Sequence, residues 1–81
     1  MAVITLYGKP GCHLCEEARE VIDAVRAERP FILEEVDVTL DPLLHRRLGE
    51  RIPVVALDGE ELFDYVVDPR ALRETLDRVG S

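Results

Sequence analysis

The chain has 81 residues, enough for one domain with one modest core, and its 47% hydrophobic content argues against disorder despite 33% charged residues. A net charge of −7 with no basic stripe disfavours nucleic acid or an anionic membrane as partner. No apolar run approaches the ~20 residues of a membrane span, and the first residues read as a strand with no basic segment or apolar leader pattern, so secretion is not expected. The expected setting is therefore the cytoplasm, and the expected state a monomer.

In chain order, residues 2–7 read as a nearly continuously apolar strand, central and covered on both faces. Both cysteines follow at once, in Lys9-Pro10-Gly11-Cys12-His13-Leu14-Cys15. From His13 to Glu28 the residues Leu14, Ala18, Val21, Ile22 and Val25 recur at helical spacing, with charged residues mostly elsewhere on the wheel. Arg29-Pro30 ends that helix, because proline pushes the preceding residue out of the helical region. Phe31 to Val38 is rich in β-formers and reads as a second strand. A strand–helix–strand order implies a right-handed parallel unit.

Asp41-Pro42 then supplies an N-cap and a first-turn proline for a short helix through Leu43, Leu44 and Leu48, with Gly49 at its C-terminal cap. Pro53–Leu57 and Glu60–Tyr65 flank Asp58-Gly59, a strong two-residue hairpin signal. Phe63 and Tyr65 read as packing residues of the fourth strand. Asp68-Pro69 opens a last helix with Leu72, Leu76 and Val79 on one stripe. The order is β-α-β-α-β-β-α, an α/β fold with a four-stranded mixed sheet and three helices on its two faces, the parallel half buried on both sides.

A Cys-x-x-Cys at a strand-to-helix junction is the sequence form of a dithiol–disulfide redox site. A cysteine at a helix N-terminus faces free backbone N–H groups and the positive end of the helix dipole, and both favour the nucleophilic thiolate. Closed structural zinc wants four ligands, and only His13 and His45 accompany the cysteines. Two inert buried cysteines remain an alternative. Placement at a Gly-preceded helix start, rather than on the helix's apolar face, argues against it. His13 is expected as an exposed residue that tunes the couple only modestly, and His45, Arg46 and Arg47 as solvated surface.

At this point the chain resembles the thioredoxin superfamily, specifically its minimal glutaredoxin-like branch. The resemblance rests on Lys9-Pro10-x-Cys12-x-x-Cys15 after the first strand and Ile52-Pro53 opening the third. Cys12-His13-Leu14-Cys15-Glu16 is similar to a subgroup of small glutaredoxin-like proteins. Lys-Pro-Gly-Cys is shared with the short redoxins that feed ribonucleotide reductase.

The resemblance implies a thiol–disulfide oxidoreductase in which Cys12 attacks and Cys15 resolves. Supporting roles fall to Lys9, Gly11, His13 and a cis Pro53, and substrate contacts to Lys9, Arg51, Ile52 and Pro53. It implies no bound cofactor, no metal, and glutathione or another low-molecular-weight thiol as co-substrate. Expected partners are a disulfide-containing protein or glutathionylated substrate, with a thiol or thioredoxin-reductase-type protein for recycling. Two other functions compete: iron–sulfur or metal handling by a cluster-bridged dimer, and a redox-sensing binding module.

Departures from the pattern are specific. No Gly-Gly-x-x-Asp segment follows the fourth strand, Arg51 stands where threonine is usual, and the Trp-Ser-Gly-Phe segment of the reductase-linked redoxins is missing. Leu6 occupies the depth at which thioredoxins bury an aspartate.

Overall fold

The computed structural model describes residues 2–80 and carries the expected element order. Strand β1 is Val3–Gly8, helix α1 His13–Glu28 and strand β2 Ile32–Asp37. A 3₁₀ turn, Val38–Leu40, leads into α2 (Pro42–Leu48), then β3 (Val54–Leu57), β4 (Glu60–Asp64) and α3 (Pro69–Gly80). The strands form one mixed sheet in the order β2-β1-β3-β4. β1 pairs in parallel with β2 and antiparallel with β3, and β3 pairs antiparallel with β4. Asp58 (φ 49°) and Gly59 (φ 89°) make the tight turn that the Asp-Gly pair predicts.

Alternation along the strands divides the core between the two faces. Ile4 and Leu6 of β1 and Val55 and Leu57 of β3 pack against Ala18, Ile22 and Val25 of α1 and Leu72 and Leu76 of α3. The opposite face carries Tyr7 and Val54, covered by Val38, Leu44, Leu48 and Ile52. Each fully buried aliphatic side chain contributes roughly 1.5–3 kcal/mol of transfer free energy, so the two small clusters suffice to order the sheet.

Helix caps form where the sequence places them. The Asp41 carboxylate accepts from the Leu43 N–H at 2.9 Å and the Leu44 N–H at 3.4 Å. The Asp68 carboxylate accepts from Arg70 and Ala71 in the same way. Gly49 sits at the α2 cap in right-handed conformation (φ −56°), its N–H donating to the His45 carbonyl, so no left-handed glycine terminates that helix.

Several expectations are corrected. The buried stripe of α1 is Cys15, Ala18, Ile22 and Val25, a 3-4-3 spacing. Leu14 is 41% exposed, whereas Cys15 lies on the apolar face it was expected to avoid. The parallel half is not buried on both sides: β2 is an edge strand with Ile32, Glu34 and Glu35 exposed. Three helices cover β1 and β3, and charge on the edge blunts its unpaired backbone.

Val79 lies outside the core cluster, so the α3 stripe ends at Leu76. β3 begins at Val54 and β4 ends at Asp64. Phe63 packs partly against the core, as expected of it. Tyr65 does not continue β4; it is half exposed and takes φ 64°, a left-handed conformation costing about 1–3 kcal/mol for a bulky residue.

The division between buried and exposed leucines is testable. Leu72→Ala, at a fully buried position, is expected to lower stability in urea by about 2–5 kcal/mol. Leu43→Ala, at a largely exposed position, should change it by less than about 0.5 kcal/mol.

Candidate active site

β1 delivers the chain to the site at Gly8, and Lys9-Pro10-Gly11 turns it into α1. Gly11 adopts φ 74°, a left-handed conformation that glycine takes at least cost. Cys12 follows in extended conformation as the N-cap of α1, and its sulfur accepts a 3.3 Å hydrogen bond from the Cys15 backbone N–H. A sulfur thus fills the capping role usually taken by a serine or aspartate oxygen. It lies at the helix end where N–H groups are otherwise unpartnered.

The two thiols differ in environment. Both cysteines are free; Cys12 is half-buried and Cys15 is buried. Burial, then the contact with the Cys12 sulfur, pushes the Cys15 thiol up to about 11, against an ordinary value of 9.0. The Lys9 backbone N–H, directed at the Cys15 sulfur, acts weakly in the other direction. Cys15 is therefore a protonated thiol at neutral pH.

What holds Cys15 is Gly8. A Cβ at Gly8 would lie 2.9 Å from the Cys15 sulfur, closer than real Cβ contacts come, and a tight 3.2 Å from its Cβ. The sulfur occupies the space a side chain on β1 would fill. Gly8 was not singled out in the sequence, although a glycine ending a strand immediately before the motif is a signal of close approach.

Beside the thiols opens a cleft of about 320 Å³, walled in part by Leu6, Glu16, Glu35 and Asp37. The two carboxylates from β2 are already engaged. Arg19 Nε donates to Glu35 Oε1 at 2.7 Å, and Asp37 accepts from the Thr39 N–H and hydroxyl at 2.9 and 2.6 Å. Glu35 faces Leu6 in the parallel register. Acidic groups therefore enter this cleft from β2 and α1, not from β1.

On the other side of the motif, Ile52 packs in the same cluster as Cys15 and Cys12. The Ile52-Pro53 peptide is cis and both residues are buried. The structure brings Lys9, Gly11, Cys12, Cys15, Ile52 and Pro53 to one end of the sheet. His13, expected at the surface, has an 83% exposed side chain 3.6 Å from Glu17. Arg51 does not present a free guanidinium: Nη2 donates to Glu61 and Nε to Asp64 on β4. Among the described residues, no three His, Cys, Asp or Glu side chains converge on a common point suited to a metal ion.

The raised Cys15 value gives a signed pH dependence. In the folded protein iodoacetamide should label Cys12 first, with Cys15 labelling rising only as pH approaches about 11; peptide mapping by mass reads both rates. The folded state holds this proton more tightly than the unfolded chain. The resulting stability is full below pH 9.0 and is lost as pH rises through about 11. For the close approach, Gly8→Ala is expected to cost about 1–3 kcal/mol by overpacking. In a Cys15→Ala background, where the obstructing sulfur is gone, most of that cost should vanish in the double-mutant cycle.

Comparison with known proteins bears on the family and the fold. The family model described as a glutaredoxin-like domain (DUF836) matches residues 3–77. An uncharacterized Mycobacterium tuberculosis protein, Rv0508, is 32% identical over 80 residues, covering 93% of this chain and 82% of its own length. The structure of target XcR50 from X. campestris is 34% identical with a TM-score of 0.79, covering 94% of this chain and 97% of that one. A thioredoxin from Halobacterium salinarum shares the fold at 21% identity, with a TM-score of 0.72 over 99% of this chain and 75% of its own. The chain belongs to the glutaredoxin-like domain family and has the thioredoxin fold.

Proposed function

We propose that the protein is a thiol–disulfide oxidoreductase that uses Cys12 and Cys15 as a dithiol couple. The observation that carries this reading is the unequal pair: an accessible sulfur capping α1, directly over a buried thiol one helical turn on. An exchange cycle needs that asymmetry, with one sulfur that meets substrate and one that meets only the first.

The cycle balances in two steps. The Cys12 thiolate attacks one sulfur of a substrate disulfide, breaking the S–S bond, forming a mixed disulfide and expelling the first substrate thiolate. Cys15 then loses its proton to solvent in the adjoining cleft and attacks the Cys12 sulfur. That step forms a Cys12–Cys15 disulfide and releases the second thiolate. Two electrons pass from the dithiol to the substrate. An external thiol pair, such as two glutathione molecules or the dithiol of a reductase-type partner, restores the reduced protein by the reverse exchange.

The substrate in this reading is a disulfide-containing protein or a glutathionylated thiol. The Ile52 backbone would pair with its extended chain in the manner of an added strand. Lys9 would meet a substrate carboxylate. Pro53 leaves the neighbouring backbone open, and His13 adjusts the couple only modestly. A reducing compartment such as the cytoplasm suits a protein whose resting form is the dithiol.

Equilibration in graded glutathione redox buffers, acid-trapped and read by intact mass, tests the proposal. Loss of two hydrogens with a defined midpoint is expected. No mass change across the range would overturn it, and a stable glutathione adduct at Cys12 would replace the dithiol cycle with monothiol chemistry.

A further inference from the structure

The segment that carries Ile52 and Pro53 lies between α2 and β3, outside any helix or strand. Its backbone is nevertheless tied down on both sides. The Tyr65 hydroxyl donates to the Glu50 carbonyl at 2.7 Å, and the Tyr65 N–H donates to the Pro53 carbonyl at 2.9 Å. One residue thus grips the segment at both ends, spanning Arg51 and Ile52. The Arg51 guanidinium runs the opposite way, from the segment to Glu61 and Asp64 on β4.

Tyr65 does this at a conformational cost. Its φ of 64° lies in the left-handed region, where bulky residues are rare and persist only if their surroundings hold them. The residue is 49% exposed, so core packing does not supply that hold. Both of its hydrogen bonds go instead to the Glu50–Pro53 segment. The Tyr65 N–H bond to Pro53 continues the β3–β4 register by one pair, and the left-handed turn at Tyr65 ends the strand there, with the hydroxyl on the Glu50 carbonyl.

We propose that Tyr65 and Arg51 form a two-sided latch between the end of β4 and the Glu50–Pro53 segment, and that both are positioning residues for disulfide exchange. The latch holds the Ile52 backbone beside the thiols, where an extended substrate chain would pair with it. The kinetic consequence rests on the proposed function; the latch itself does not. Its signature is selectivity: a long polypeptide substrate depends on the placement of that backbone more than a small disulfide does.

Tyr65→Phe removes one hydrogen bond and leaves the ring. Two readouts decide the matter: amide hydrogen exchange by NMR at positions 51 and 65, and the ratio of kcat/KM for insulin to that for hydroxyethyl disulfide. Exchange should accelerate at both positions. The ratio should fall about three- to tenfold, the size of one hydrogen bond's net contribution. Unchanged exchange, or an equal fall for both substrates, overturns the proposal. Glu61→Gln combined with Asp64→Asn frees Arg51 without touching Tyr65 and should shift the ratio in the same direction; an unchanged ratio overturns the part assigned to Arg51. If the unmodified protein reduces neither substrate, the oxidoreductase reading fails, while hydrogen exchange still judges the latch.

Discussion

The contact between Gly8 and the Cys15 sulfur is the constraint around which the active end is built. Because β1 ends in a residue with no side chain, the first turn of α1 can settle onto the strand, with the sulfur in the vacated space. That contact sets where α1 starts, and the start of α1 sets where Cys12 stands as its cap. The same burial keeps the Cys15 proton in place at neutral pH. Difference in environment between the thiols is therefore a packing result: one glycine lets one cysteine in, and the N-cap geometry leaves the other half-buried. A larger residue at position 8 would disturb the helix start, the cap and the buried thiol together.

The site joins two segments that are distant in sequence, and they are held by different physics. The Lys9–Cys15 turn is local: a left-handed glycine, a capping sulfur and a helix that follows directly. The Glu50–Pro53 segment has one local tie, the Arg51 N–H donating to the Leu48 carbonyl at 2.8 Å. The rest of its order comes from outside, through Ile52 in the apolar cluster beneath α2 and through polar contacts from the end of β4. Antiparallel pairing of β3 between β1 and β4 brings these parts to one end of the sheet. The fold's topology, more than any motif, assembles the second half of the site.

These differences explain what could be read from the residues alone. Helix α1 begins and ends at His13 and Glu28 as expected, because the cap, the periodicity and Arg29-Pro30 are local signals. The Asp58-Gly59 turn and the aspartate caps are legible for the same reason. The exposure of β2 was not, since alternation on a strand shows which side chains share a face but not whether another layer covers it. The helix-start position of Cys15 pointed away from the apolar face; Gly8, seven positions earlier, makes the room that lets its sulfur in. The left-handed Tyr65 and the Arg51 pairs with Glu61 and Asp64 were invisible for a stronger reason. Both depend on β4 meeting a loop that precedes β3, and no property of a tyrosine or an arginine announces that.

The chain's departures from the glutaredoxin pattern acquire a physical meaning in this light. Asp68, the carboxylate nearest in sequence to the missing glycine pair, accepts the first N–H groups of α3 and is engaged as a cap. Arg51, in the place usually held by threonine, gives its guanidinium to two carboxylates of β4. Two charged groups on that side, each a candidate grip for a small zwitterionic thiol, are thus engaged at the surface in holding the scaffold. Charge used to fix a backbone is charge withdrawn from direct recognition, because a paired guanidinium offers fewer free donors and a weaker field to an incoming anion. On the oxidoreductase reading, recognition at this side then falls to the Ile52 backbone. An extended polypeptide pairs with a backbone edge as an added strand does, and a small thiol has little chain with which to do so.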